Sequence, residues 1–477
     1  MGKKFGSKDA LFRLDGIPPA GDALSLALQH VVALIVGCVT PAIIVANAAG
    51  LSQPDRVILI QAALTVSAIS TLVQLFPIRS KWLRFGSGLP VIMGISFAYV
   101  PSMQAIAGQS GGIGMIAGAM LVGGAVALII GFFVKYIRKL FPPLITGTVV
   151  FTIGLSLYPT AINYMAGGSA NTYDLVVGVK GLTQALVYGS WQNWAIAIFT
   201  LVVVVILNNF GKGICKLASI LIGMAAGYVV AVCFGMVDFS EIASAGWFAL
   251  PQPLHFGISF DPAACITMGL LFAINAIQAI GDFTATTAGG LGREPTNAEL
   301  QGGIVCYGAM NMLGALCCGL PTATYSQNVG IVSTTKVVNR VVIALAAVLI
   351  LLAGLIPKFS AILTTIPQCV LGGATITVFS SIAMTGMKLL TGDGLTSRSS
   401  AIVGLSAALG VGVAQASEAI SMLPDSVSTI LGKSPVVLAT LVAVVLNLIL
   451  PKEKKPEANA SALTEAAKPS EPPVSHS

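Results

Sequence analysis

Two ionisable side chains lie within long apolar stretches of this sequence. His30 belongs to the stretch at residues 23–48, and Asp282 belongs to the stretch at 262–287. A charged group at the centre of a lipid bilayer costs roughly 2.5–3.5 kcal/mol on insertion scales, so such residues are functional candidates by default. Each also has a structural interpretation, which is a neutral imidazole bridging two helices for His30 and a structural hydrogen bond for Asp282.

Carboxamide side chains accompany this carboxylate and recur in a later stretch. Gln278 precedes Asp282 by four residues, a spacing that places both on one face of a helix. Gln327 and Asn328 form a second amide group. An amide offers a hydrogen-bond donor and an acceptor side by side, which matches an N–H/C=O edge of a heterocyclic ring. A buried Gln can also simply tie two helices together.

The elements that must position these residues are membrane helices. Of the residues, 55% are hydrophobic and only 9% are charged, whereas a soluble chain carries roughly 25% charged residues. A bilayer core needs about 20 apolar residues per helix. We predict about fourteen spans, near 23–48, 56–78, 88–107, 111–134, 141–162, 192–209, 213–235, 262–287, 300–318, 320–336, 340–356, 360–386, 399–416 and 434–450.

The basic residues indicate how these spans are oriented. Alternating the spans from a cytoplasmic N-terminus leaves 21 of the 25 Lys and Arg residues on the inner side. This bias predicts that both termini are cytoplasmic, and it assigns the +7 net charge to membrane topology rather than to nucleic acid. The polar segment 1–22 lacks the features of a secretory signal. The tail at 451–477 is rich in Ala, Glu, Pro and Ser and is predicted to be disordered.

Cysteine spacing points to neither a metal site nor a redox site. The eight Cys residues include no CxxC pair, and nearly all lie in apolar stretches, where Cys behaves as a small hydrophobic residue. No Walker motif, metal cluster or convincing Ser-His-Asp set is present. We therefore expect no disulfides, no metal, no cofactor and no enzymatic activity.

An internal repeat divides the chain into two halves. Gly88-Leu89-Pro90 recurs as Gly319-Leu320-Pro321, 231 residues later. A second match, 225 residues apart, pairs Pro142 and Gly147 with Pro367 and Gly372. Two halves of about seven spans have opposite orientations in the membrane, and such inverted repeats are typical of secondary transporters.

The two repeated Gly-Leu-Pro motifs open unusual spans. Residues 89–97 and 320–328 are predicted to be extended and to face one another at mid-membrane. Irregular backbone at that depth is tolerated only inside protein or beside a water-filled cavity, and the N–H groups of the following half-helices could hold a carbonyl or anionic group. Counted from the motif, Ser96 corresponds to Gln327 and Phe97 to Asn328. Phe97 would give a ring an apolar face, and Ser96 would leave room for it.

Several of these residues resemble a known signature. Gln327-Asn328-Val329-Gly330, followed by Thr335-Lys336, is similar to the Q/E/P-N-x-G-x4-T-R/K/G signature of the nucleobase–ascorbate transporter family. The stretch from Gly281 to Thr286 resembles the eighth span of that family, and Gln29-His30 with Thr40-Pro41 resembles the first. The likeness covers nearly the whole chain except its tails.

The resemblance implies an all-α polytopic membrane protein with fourteen spans in two inverted repeats and two discontinuous segments. A core domain would comprise 23–134 and 262–358, and a gate domain would comprise 135–261 and 359–450. Members of the family are typically homodimers that work by an elevator-like motion. The substrate would be a nucleobase of the xanthine and uric acid branch, which Gln at position 327 favours over uracil.

The implied site lies between the third, eighth and tenth spans. Its substrate-binding candidates are Gln278, Gln327, Asn328, Ser96, Phe97, Tyr325, Ser326 and Gly330, and its signature residues are Thr335 and Lys336. Family members usually have Glu at the position of Gln278, and many purine carriers have Asp at that of Tyr307. Asp282 is therefore predicted to be the main proton-coupling group, with His30 sharing the proton.

Two alternatives remain open at this point. One is a uniporter or exchanger for uracil or another nucleobase, in which Asp282 only braces a helix pair. The other is a channel or anion transporter built on the same arrangement of seven plus seven spans, which transport of sulfate or bicarbonate would reveal.

Overall fold

The computed structural model describes residues 7–79, 84–137, 143–168, 187–237, 239, 242–243, 245–392, 394–424, 428, 431–432 and 434–451. The predicted tail from residue 452, the first six residues of the N-terminal segment and Pro142 of the repeat lie outside the described residues.

Long helices dominate both halves of the chain. The first half contains α1 (Ala20–Ala48), α2 (Gln53–Leu75), α3 (Val100–Ala107), α4 (Gly112–Phe132), α5 (Val134–Ile137), α6 (Pro143–Met165), α7 (Trp191–Phe210), α8 (Ile214–Leu217) and α9 (Ser219–Cys233). The second half contains α10 (Pro262–Thr286), α11 (Asn297–Leu316), α12 (Ser326–Thr335), α13 (Arg340–Gly354), α14 (Pro357–Thr364), α15 (Gln368–Thr391), α16 (Ser397–Gln415) and α17 (Pro435–Ile449).

Strands and short helices complete the described elements. The strands are β1 (Ile78–Arg79), β2 (Arg84–Phe85), β3 (Met93–Ile95) and β4 (Thr322–Thr324). Short 3-10 helices span Lys8–Phe12, Phe97–Tyr99 and Ser417–Ile420, and a π-helical turn spans Thr287–Leu291.

The predicted polytopic architecture is confirmed. Within the described residues, eight helices are long and apolar enough to cross a membrane: α1, α2, α4, α6, α7, α10, α15 and α16. The other predicted spans correspond to α9, α11, α13, α17 and two broken segments. The chain is therefore a multi-pass membrane protein.

Small residues allow the two repeat-related helices α6 and α15 to cross closely. A Cβ atom on Gly147 of α6 would lie 2.9 Å from the Leu390 side chain of α15, and one on Gly372 of α15 would lie 2.3 Å from the Met165 nitrogen of α6. Gly147 and Gly372 correspond to each other in the repeat found in the sequence, and each allows close contact between α6 and α15. Such close approach is the usual role of small residues between membrane helices.

The helices form two packing groups around the broken segments. One group contains α1, α2, α4, α10, α11 and α13, and the other contains α6, α7, α9, α15, α16 and α17. Which group moves during transport is a functional question, so the division into core and gate domains remains a prediction.

The two broken segments pair with each other through short strands. β3 and β4 are antiparallel, with Met93 opposite Thr324, Gly94 opposite Ala323 and Ile95 opposite Thr322. The half-helix α12 follows β4 directly, and a 3-10 turn leads from β3 into α3. The predicted pairing of two extended segments is thus confirmed.

Side chains from neighbouring helices hydrogen-bond the strand edges. The Met93 N–H donates to Thr71 Oγ1 of α2 at 2.9 Å, and the Thr322 N–H donates to Asn311 Oδ1 of α11 at 2.7 Å. Both bonds are buried, as they must be where no water can replace them. Because α2 and α11 are the second spans of their respective halves, corresponding strand positions are stabilised in corresponding ways.

Three details of the sequence prediction are wrong. Phe97 lies in a 3-10 turn and residues 326–328 are helical, because each half-helix starts as soon as its strand ends. Two residues separate Pro90 from β3, whereas β4 follows directly after the Gly-Leu-Pro motif of the second half. Equivalent positions of the two strands are therefore 229 residues apart rather than 231, so Ser96 is structurally equivalent to Tyr325. The predicted span 360–386 is interrupted between α14 and α15, because Pro367 lacks an N–H and caps the new helix α15. The short helix α14 is also bent 79° from α13.

Candidate functional site

A carboxylate on α10 joins the eighth span to the break in the tenth. The Asp261 side chain caps α10 by accepting from the Ala264 N–H at 2.8 Å, and this helix carries Asp282 into the protein interior. Thr324 Oγ1 donates to one carboxylate oxygen of Asp282 at 2.5 Å, and Ser326 Oγ donates to the other at 2.9 Å. Asp282 is only 8% exposed, and these two hydroxyls are its hydrogen-bond donors among the described residues.

The start of α12 presents unpaired donors beside this carboxylate. The backbone N–H groups of Ser326 and Gln327 have no acceptor among the described residues, as is usual for the first residues of a helix. Gln327 is exposed, and its amide has no partner in the described part of the chain. A Cβ atom added to Gly330 or to Gly281 would meet nothing within 4 Å. The surface around Gln327 is therefore open and rich in hydrogen-bonding groups.

Gln278 lies one turn before Asp282 and faces the second packing group. Its half-buried side chain lines a narrow crevice with Ile145 and Thr146 of α6 and Thr440 of α17. No described group hydrogen-bonds its amide. The Gln278 amide thus lies between the two groups of helices without a hydrogen-bond partner among the described residues.

Asn328 points away from the open surface and binds the first span. Its Nδ2 donates to His30 Nδ1 at 2.9 Å and to the His30 carbonyl at 3.2 Å, and both residues are almost fully buried. A carbonyl only accepts, so this Asn328 atom must be the NH2 group, and the neighbouring His30 Nδ1 must be unprotonated. The structure therefore has the neutral bridging imidazole, and it brings Asn328 to His30 rather than to Gln327.

Of three further predicted residues, two are packed into the protein and the third is partly exposed. The Tyr325 ring lies so close to Gly37 of α1 that a Cβ atom there would be 1.2 Å from the phenol oxygen. Phe97 is 5% exposed and packs edge-on against Phe379 of α15, with ring centroids 5.3 Å apart. Ser96 is partly exposed, caps the Ala98 N–H at 3.3 Å, and lies 3.5 Å from Asn275 Oδ1 of α10. Of these three, Ser96 is the one whose side chain is accessible.

The last two signature residues terminate α12. Thr335 Oγ1 donates to the Ile331 carbonyl at 2.8 Å and accepts from the Val337 N–H at 3.3 Å. Lys336 adopts a left-handed conformation with φ of 60° at the C-cap, and its Nζ donates to the Gly289 carbonyl at 2.5 Å. These contacts fix the half-helix against the π-helical turn after α10, which explains this part of the signature without a ligand.

Sequence reasoning missed the groups that position the site. Thr324, on the strand, holds Asp282 as closely as the predicted Ser326 does. The Tyr307 hydroxyl contacts the Tyr99 hydroxyl in the buried interior, and Phe272 packs against both rings at centroid distances of 5.0 and 5.6 Å. Tyr307 thus links the ninth span to the third at a position where the family resemblance leads one to expect Asp. The sequence shows that Thr324 and Tyr307 are polar residues in apolar stretches, but it does not show which residues they contact.

Known proteins resemble this chain along almost its full length. The sequence profile of the Permease family, Xan_ur_permease, matches residues 21–419. The chain belongs to this family. The resemblance seen in the sequence is thereby confirmed, and the protein is a permease.

Individual relatives also align with the permease over most of its length. The xanthine permease XanQ of Escherichia coli is 31% identical over 456 residues, which are 93% of this chain and 94% of XanQ. The uric acid permease PucJ of Bacillus subtilis is 33% identical over 439 residues, which are 91% of this chain and 94% of PucJ.

A solved structure shares the fold of the permease. The transmembrane domain of a cyanobacterium bicarbonate transporter, BicA, superposes with a TM-score of 0.57 at 17% identity, over 82% of this chain and 95% of that chain. At this identity the likeness concerns the fold alone. Within the described residues of the permease, no group of three His, Cys, Asp or Glu side chains could hold a metal ion.

Proposed function

We propose that this permease transports an oxidised purine of the xanthine or urate type. The observation that carries the proposal is the unpartnered Gln327 amide beside two unpaired N–H groups at the start of α12. An oxidised purine presents alternating ring N–H and C=O groups. One such edge can pair with both atoms of the amide, and a second carbonyl can accept from the backbone N–H groups.

The charge of the site supports a purine over an inorganic anion. A helix N-terminus alone would attract sulfate or bicarbonate. Here, however, the Asp282 carboxylate already accepts hydrogen bonds from Thr324 and Ser326 at that same helix start. A second anion beside an ionised Asp282 would be repelled, whereas neutral xanthine would not; urate, which is itself an anion near neutral pH, would bind only beside a protonated Asp282. The sequence relatives named above are xanthine and uric acid permeases, and this supports the same choice.

Transport is proposed to be proton-coupled, with Asp282 as the coupling group. Gln278 cannot titrate, and the accessible surface around Gln327 borders this carboxylate. In the proposed cycle the packing group carrying Asp282 moves as an elevator against the other group, within a homodimer whose termini are both cytoplasmic. In a bacterium the protein would lie in the inner membrane.

One contact favours a second mechanism for the same substrate. Both Asp282 oxygens accept a hydroxyl, so the carboxylate also braces the eighth span against the tenth. If bracing is its only role, the permease is a uniporter or exchanger.

A competition panel tests the proposed substrate. Uptake of radiolabelled xanthine into cells expressing the permease is measured against unlabelled purines, pyrimidines, urate and sulfate. We expect xanthine or urate to compete best and sulfate not to compete. Competition by uracil alone would refute the purine assignment, and competition by sulfate would indicate an anion transporter.

A further inference from the structure

A second polar cavity lies between the two packing groups, on the side that carries the connection between α1 and α2. Its volume is about 210 Å³, and it is partly open to its surroundings. It is lined from the first packing group by Asn47, Gln53 and Arg56, and from the second by Asn193 and Gln368. None of the residues around Asp282 and Gln327 lines it. The distribution of positive charge predicts that this side of the membrane is the outer one.

The cavity collects amide oxygens that lack partners. Asn193 is fully buried, and its Nδ2 donates to the Val187 carbonyl at 2.9 Å and to the Ala166 carbonyl at 3.2 Å. Because two carbonyls identify the NH2 group, the orientation of this amide is fixed, and its Oδ1 has no hydrogen bond within the described residues. The buried side-chain oxygens of Asn47, Gln53 and Gln368 likewise lack partners in the part of the chain that the structure describes.

Four unpaired acceptors around one cavity call for a ligand with hydrogen-bond donors. Buried polar groups are nearly always satisfied by protein, water or ligand. The Arg56 guanidinium, whose Nε donates to the Leu51 carbonyl at 2.8 Å, adds positive charge and so disfavours a metal cation. The same charge favours a ligand with carbonyl oxygens. Ring N–H groups together with carbonyls are the chemistry that satisfies this lining.

We propose that this cavity is an outer binding site for the heterocyclic substrate, which the substrate occupies before it reaches Gln327. The inference rests on the proposed function, because it assigns to the cavity the same class of ring with N–H and C=O groups. The lining comes from both packing groups, so a bound ring bridges them. It will therefore be released when the two groups move relative to one another.

Equilibrium binding of radiolabelled xanthine to the purified full-length permease tests the outer site. We expect two sites per chain in the wild type. Gln327→Ala should lose the tighter site and retain the weaker one. The double variant Gln53→Leu/Gln368→Leu should keep the tighter site, lose the weaker one by at least about tenfold in affinity, and raise the KM for uptake from outside. Neither replaced amide makes a side-chain hydrogen bond to a described residue, so the double variant should be as stable as the wild type.

Gln192→Leu is the matched control, because Gln192 also has a buried unpaired amide oxygen on α7 but does not line the cavity. It should bind xanthine at both sites. A single site that Gln327→Ala abolishes would overturn the outer site while leaving the proposed function intact, and would indicate that water satisfies these amides. A weak site that the double variant leaves unchanged would overturn the outer site as well. Absence of purine binding in every variant, including the wild type, would refute the proposed function itself.

Discussion

Replacing Gln327 separates ligand binding from folding in this permease. The side chain is exposed and has no hydrogen-bond partner among the described residues. Gln327→Ala therefore removes no side-chain hydrogen bond to a described residue, and we expect its Tm to stay within the error of the measurement. Ala is also a better helix former than Gln, so α12 should not be weakened.

The expected loss of affinity follows from the two bonds that the amide can make to a ring edge. A hydrogen bond contributes about 0.5–1.5 kcal/mol net. Two bonds amount to about 1–3 kcal/mol, which corresponds to a five- to 150-fold rise in Kd. Uptake at substrate concentrations below the wild-type KM should fall in proportion.

The assay pairs xanthine binding with thermal unfolding of the same purified sample, and membrane abundance is checked by immunoblotting. Gln327→Glu is the informative companion, since it keeps the size and the acceptor but loses the NH2 donor and adds charge beside Asp282. We expect it to bind xanthine no better than Gln327→Ala. Unchanged affinity in Gln327→Ala would refute the assignment of Gln327 to the substrate, and a large drop in Tm would show that the amide is structural.

Three other substitutions test neighbouring parts of the argument. Asp282→Asn in liposomes with an imposed pH gradient should abolish gradient-driven accumulation but retain counterflow, and undiminished accumulation would exclude coupling through this group. Asn328→Ala should lower the free energy of unfolding by about 1–3 kcal/mol, because it breaks the buried bonds to the first span; lost binding at an unchanged Tm would instead make Asn328 a substrate ligand. Thr71→Val should lower Tm by leaving the buried Met93 N–H without an acceptor, whereas the control Thr385→Val, at an exposed position bonded only within its own helix, should have little effect.

Much of the fold follows from the sequence because a bilayer allows few solutions. A chain with 9% charged residues must satisfy its backbone within helices, so apolar stretches locate the spans. Helix-breaking motifs recurring in both halves predicted paired broken segments, and β3 and β4 have that pairing. The prediction was wrong where the spacing within the repeats differs, as in the two additional residues before β3, and where Pro367 starts a new helix within a continuous apolar run.

Composition and motif spacing were thus sufficient to determine a multi-pass helical permease with two discontinuous spans and an isolated carboxylate at Asp282. Only the tertiary structure decided what each polar side chain does, because successive residues of a half-helix point in different directions around its axis. Gln327 faces open space, while the next residue, Asn328, turns inward to His30. Likewise Thr324 contacts Asp282 from 42 positions away in sequence. A hydrogen bond requires atoms to lie within about 3 Å of each other, and for residues this distant in sequence that proximity arises only when the spans have packed.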